Sequence, residues 1–155
     1  MSLVLALAGC GFQLRGSVEL PGLDTVRITG AGATMREELA VFLRDGGVRV
    51  LEANGGDADA ELSLTDEQLN RRVLSIDPRT GKAREFELAY AVDFQLVDAK
   101  GKSLVERQTV RLVRDFVFDV DAVIGKSREE SVLRTEMRRD AVQQIIRRLR
   151  SSLAG

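Results

Sequence analysis

Cys10 is the only cysteine in 155 residues, and it closes the stretch Leu7-Ala8-Gly9-Cys10 behind an apolar run from Leu3 to Ala8. Small residues at the end of such a run suit the narrow pocket of a signal peptidase. A thiol placed just after the cut is an acceptor for acyl chemistry: in a bacterial lipoprotein it takes a diacylglycerol and becomes the new N-terminus. The competing reading is a short strand or buried apolar segment with an incidental free thiol. The leader is not intact, because no Lys or Arg occurs before Arg15 and only nine residues precede Cys10. Met1-Ser2-Leu3 reads as an expression start joined to a leader's tail, so in this form the chain is expected to stay unacylated. Residues 1–9 are therefore set apart from the fold.

A second chemistry is carried by Arg71, Arg72, Arg79, Lys82 and Arg84, which flank the turn Asp77-Pro78-Arg79-Thr80-Gly81. Forked guanidinium donors and a lysine charge match phosphate oxygens. The same residues also fit a solvated loop that keeps a sheet edge from aggregating. Other chemistries lack their parts. Without histidine there is no imidazole-based triad or metal site. One thiol cannot make a Cys₂ or Cys₄ zinc site. Gly30 and Gly32 do not extend into a dinucleotide-binding loop, since position 35 is Met. The pairs Glu37-Glu38 and Glu129-Glu130 fall in first helical turns, where the helix dipole accounts for them. A catalyst is not expected, nor is a cofactor or metal.

The elements that must position these residues follow from composition and periodicity. At 44% hydrophobic and 30% charged, the chain has a globular composition, long enough for one domain with a real core. Net charge is −1, so bulk electrostatics does not draw it to nucleic acid. Residues 128–155 are the exception, with seven Arg against three Glu and one Asp. No apolar run approaches the ~20 residues of a membrane span.

Residues 10–24, with Pro21 and Gly22, read as a tether, and a single domain is expected over 25–153. Thr25–Thr29 alternates as a first strand, and Thr34 with Glu37 forms a capping box for a helix. Met35, Leu39, Phe42 and Leu43 make its apolar stripe, and Gly46-Gly47 stops it. Val48–Leu51 is a short strand, giving a βαβ unit with parallel strands. Beyond a polar loop, Leu62 and Leu64 start a strand that resumes less cleanly from Val73 to Ile76. After the turn, Phe86, Leu88, Tyr90, Val92, Phe94 and Leu96 alternate with Glu85, Glu87, Asp93 and Gln95. A turn at Asp98–Gly101 leads to a strand over 103–118, with Leu104, Val110, Leu112, Phe116 and Phe118 in one register. Ser127 and Glu130 then suggest a second capping box, opening a helix from Arg128 to about Leu153. The order β-α-β-β-β-α predicts an α/β two-layer sandwich: a mixed four- or five-stranded sheet with both helices on one face.

Cys10-Gly11-Phe12-Gln13-Leu14-Arg15-Gly16 resembles the mature start of the LPS-assembly lipoprotein (LptE) family of Gram-negative outer membranes. The likeness continues in element order to about Leu149. It implies an outer-membrane lipoprotein, lipid-anchored at Cys10 on the periplasmic face, that plugs and helps assemble an LptD-type β-barrel. Gly11, in place of the aspartate that favours inner-membrane retention, agrees with that destination. The resemblance also implies LPS contact by basic residues at the hairpin tip and just before the second long helix, here Arg79, with Lys82 beside it, and Lys126. It extends to the charge of the tip and not to an apolar contact, since Pro78 precedes Arg79. A wet barrel lumen suits polar surface, so Thr80, Glu85 and Glu87 are expected at the partner interface. The alternatives are a free periplasmic lipoprotein that binds an anionic lipid and an assembly scaffold that touches no lipid.

Overall fold

The computed structural model describes residues 20–117 and 123–155, with the side chains of the last helix described from Glu129 onward. Its elements are β1 (Thr25–Gly30), α1 (Ala33–Asp45), β2 (Arg49–Leu51), β3 (Ala60–Ile76), β4 (Ala83–Asp98), β5 (Ser103–Val117) and α2 (Val123–Leu153). They build one mixed sheet in the order β2-β1-β3-β4-β5. β1 is parallel to both β2 and β3, whereas β3, β4 and β5 are antiparallel. The helices touch each other under the sheet, α1 against β1 and β2 and α2 against β4 and β5. The expected two-layer sandwich is therefore present, with five strands.

The β4 alternation decides which face is buried. Phe86, Leu88, Tyr90, Val92, Phe94 and Leu96 are all buried and meet Met35, Leu39, Leu43, Met137, Ile145 and Leu149 from the helices. On the opposite face, Arg72 pairs with Glu87 at 3.0 Å and Arg107 bridges Asp93 and Asp66 at 2.8 and 2.6 Å. Leu20 and Leu23, in the stretch read as a tether, also belong to the core. Cys10 and Phe118 lie outside the described residues.

Register shifts redirect the long strands. In β3 the register slips between Thr65 and Gln68, with Asp66 at φ 52°, the left-handed conformation an Asp tolerates better than most residues. The core-facing set changes there from Leu62 and Leu64 to Glu67 and Leu69, which explains the broken alternation. A slip in the β4–β5 ladder, between the Phe94 and Leu96 pairs, makes Val105 the buried residue of early β5. Leu104, expected in register with Val110, packs only partly against the core.

Both capping boxes are corrected. α1 starts at Ala33 after Gly32 and has no side-chain cap of its own. Thr34 therefore lies inside the helix, and the Gly32 N–H is satisfied by Glu67 Oε2 at 2.7 Å. α2 begins at Val123, so Lys126 and Ser127 lie within it and not ahead of it. At the end of β1, Gly30 has φ 71° and approaches β3 so closely that a Cβ would stand 1.8 Å from the Leu64 carbonyl oxygen. No other residue fits that crossing.

Candidate functional site

The hairpin of β3 and β4 runs past the core to a turn held by Asp77. Its Oδ1 accepts the N–H groups of Arg79 and Thr80 at 2.8 and 3.1 Å. These backbone donors, that of Arg79 first, hold the Asp77 carboxyl below the usual carboxylate range. The Asp77 N–H donates to the Lys82 carbonyl at 2.8 Å, and Gly81 takes φ 67° to close the turn. The turn thus fixes its backbone with its own acid, which leaves Arg79, Thr80 and Lys82 exposed and directed by a rigid support.

The basic cluster divides in two. Arg71 lies over the Phe86 ring, with its guanidinium carbon 4.0 Å from the centroid, and pairs with Glu130 of α2 at 3.0 Å. Phe86 in turn stacks on Phe116 at 5.5 Å. Arg72 is held by Glu87. Both are therefore structural, joining the distal half of the hairpin to α2 and to the sheet surface. Arg79, Lys82 and Arg84 form no ion pair among the described residues. Charges left over after internal pairing are the ones available to a ligand.

The remaining site residues separate likewise. Thr80 and Glu85 are exposed, whereas Glu87 is partly covered and paired. Lys126 stands one turn before Glu130 in α2, and its side chain lies outside the described residues. The Glu130–Arg71 bridge brings that part of α2 beside the hairpin. Nearby, β5 and α2 part to leave an open groove of about 690 Å³, with Glu85 at its border. Among the described residues no group of His, Cys, Asp and Glu side chains could hold a metal, and no helix is long and apolar enough to cross a membrane.

Sequence reasoning missed Glu67. Its Oε1 accepts the Tyr90 hydroxyl at 2.8 Å, its Oε2 caps Gly32, and Arg138 stands 3.9 Å away. One carboxylate therefore joins β3, β4, α1 and α2. The available signal was the lapse of alternation at Thr65-Asp66-Glu67-Gln68, a run of polar residues inside an otherwise regular strand.

Comparison with known proteins adds a family. The family model LptE, described as lipopolysaccharide-assembly, matches residues 17–149. The LPS-assembly lipoprotein LptE of Photorhabdus laumondii is 30% identical over 149 residues, which is 94% of this chain and 80% of that protein. The protein of the same name from Pectobacterium atrosepticum is 27% identical over 94% of this chain and 79% of its own. Among solved structures, lipoprotein B of Nitrosomonas europaea superposes with a TM-score of 0.78 at 33% identity, covering 94% of each chain. Rare lipoprotein B of Shewanella oneidensis gives 0.69 at 26% identity, covering 83% of this chain and 96% of that one.

Proposed function

The chain belongs to the LptE family of lipopolysaccharide-assembly proteins, and on that footing we propose that it is a non-catalytic outer-membrane lipoprotein subunit of the LPS export complex. It plugs an LptD-type β-barrel from the periplasmic side, helps that barrel assemble, and contacts LPS. The observation that carries this reading is the hairpin tip: Arg79 and Lys82 are exposed, rigidly supported and free of internal carboxylates among the described residues. Such charges gain nothing for folding and suit the phosphates of LPS. Lys126 supplies the third basic group, from α2. Thr80, Glu85 and the Glu87–Arg72 pair give the polar surface that a wet lumen accepts. Cys10 carries the anchor, whose multiple acyl chains exceed the two signals needed for stable membrane residence.

The test is expression with a complete lipoprotein leader, followed by affinity capture from outer membranes. A stoichiometric β-barrel protein is expected in the eluate. Recovery of the lipidated chain without a barrel would favour the free periplasmic lipoprotein instead.

A further inference from the structure

The loop between β2 and β3 carries Asn54-Gly55, and Asn70 is the only other asparagine in the chain. An asparagine followed by glycine holds both partners of a cyclisation. The Gly55 nitrogen attacks the Asn54 side-chain carbonyl, and glycine has no side chain to obstruct the approach. The first step needs no outside reagent. A bond forms between the Gly55 nitrogen and Asn54 Cγ, the bond from Cγ to Nδ2 breaks, and ammonia leaves with the glycine's amide hydrogen. Water then opens the cyclic imide. Opening at Cγ gives aspartate; opening at the main-chain carbonyl gives isoaspartate, with the backbone routed through Cβ and Cγ.

The fold exposes this pair and also restrains it. Asn54 is exposed. The Gly55 N–H donates to the Glu52 carbonyl at 2.9 Å, closing a turn with Ala53 and Asn54 at its centre. A planar amide nitrogen is a poor nucleophile until its proton departs, and here an acceptor holds that proton. The turn is also tight, since a Cβ on Gly55 would stand 3.3 Å from the Glu52 carbonyl oxygen. Arg27 fastens the turn to the sheet. It lies in β1 between Leu51 of β2 and Glu61 of β3, and its Nη2 donates to the Gly55 carbonyl at 2.9 Å and to that of Gly56. Attack requires the Asn54 main chain to leave the turn and bring the nitrogen onto Cγ, so cyclisation is confined to moments when the loop opens. Asn70 lacks this arrangement. It sits inside β3 opposite Ala89 and is followed by Arg71, whose guanidinium lies over Phe86.

We propose that Asn54 is a modification site, an asparagine that converts to aspartate and isoaspartate at a rate set by the Glu52–Gly55 turn and the Arg27 clamp. Either product adds a carboxylate to the loop, and isoaspartate also lengthens its backbone by one atom, which destroys the spacing of the turn. The inference is independent of the barrel and LPS readings.

The test is incubation of the full chain for weeks at neutral pH, followed by peptide mapping in which fragmentation separates Asn54 from Asn70. Three samples are compared: the folded chain, the same chain in guanidinium chloride, and Arg27→Ala. The small mass gain of an amide-to-acid exchange is expected at Asn54 and not at Asn70. It should accumulate roughly tenfold or more slowly in the folded chain than in denaturant, because only the open loop reacts. Arg27→Ala should speed the folded reaction several-fold and leave the rate in denaturant unchanged. If that variant loses its cooperative unfolding, Arg27→Gln takes its place. An unmodified Asn54 in the folded chain after full conversion in denaturant would overturn the site. Equal rates in the folded and denatured chains would overturn the restraint, and an unchanged rate in the folded Arg27 variant would overturn the clamp.

Discussion

Tyr90 donates its hydroxyl to Glu67 across 2.8 Å, while the other oxygen of that carboxylate caps Gly32 at the start of α1. Burial first, and then this bond to a carboxylate, raise the Tyr90 pKa well above its ordinary value of 10.0. A group whose folded pKa is raised contributes stability that is complete below its unfolded pKa and is lost as pH climbs through the folded one. Denaturant unfolding of the wild type should therefore weaken progressively above pH 10. Tyr90→Phe should flatten that alkaline decline and cost about 1.5–3 kcal/mol at neutral pH, the range for a hydrogen bond to a charged acceptor. The same alkaline slope in both proteins would mean that Tyr90 does not couple to folding.

Core and surface should separate cleanly on β4. Phe94→Ala should cost about 2–5 kcal/mol, as large-to-small changes in a packed core do, because Phe94 is 1% exposed. Met137→Ala on α2 should behave alike. Glu87→Ala breaks a surface pair with Arg72 and should cost no more than about 1 kcal/mol. Equal losses at Phe94 and Glu87, by chemical denaturation, would reverse the assignment of the two faces.

The division of the basic cluster predicts two phenotypes. Arg79→Glu combined with Lys126→Glu should weaken LPS binding and leave the unfolding midpoint nearly unchanged. The wild-type interaction itself should fade with salt, because exposed charges are screened over ~8–10 Å at moderate ionic strength. Arg71→Glu should instead destabilise the chain by about 1–2 kcal/mol, since it faces Glu130 with a like charge and uncovers Phe86. Undiminished LPS binding by the double variant would move the contact to Arg84.

Photo-crosslinkers at Thr80 and Lys82 should trap the barrel protein in intact outer membranes. One at Tyr90 should trap nothing, because that side chain is buried under the helices. Crosslinks from the C-terminal end of α2 alone, with silence at the hairpin tip, would show that the domain enters its partner the other way round.

What was legible in the sequence is what periodicity encodes. The six apolar residues of β4 alternate without interruption, and all six are buried. The stripe of α2 was equally visible, because Met137, Ala141, Ile145 and Leu149 repeat at four-residue spacing. Bulges defeat this reading, since one extra residue exchanges the faces of everything beyond it. Glu67 therefore faces the helices, although strict alternation from Leu62 and Leu64 assigns it to the polar side. Capping patterns failed for a different reason. Thr34 and Ser127 precede an acid by three residues, yet α1 starts at Ala33 with Glu67 satisfying the Gly32 N–H, and α2 is already helical from Val123. The tip charges were legible as a cluster, but only Glu130 and Glu87 reveal which of them are already engaged.

The described chain enters at one pole, where Thr25 hydrogen-bonds Asp59 and Val26 pairs with Ala60 at the start of β3, and the hairpin turn stands at the other. Between them β3 spans 17 residues, about 50 Å at the usual rise of a strand. The domain is consequently a ruler. Removing facing residue pairs from β3 and β4, two from each strand, would shorten its reach by about 7 Å without exchanging the sheet faces. Strand length is thus an adjustable dimension that sets how far from the Ala60 end of the sheet Arg79 can touch anything.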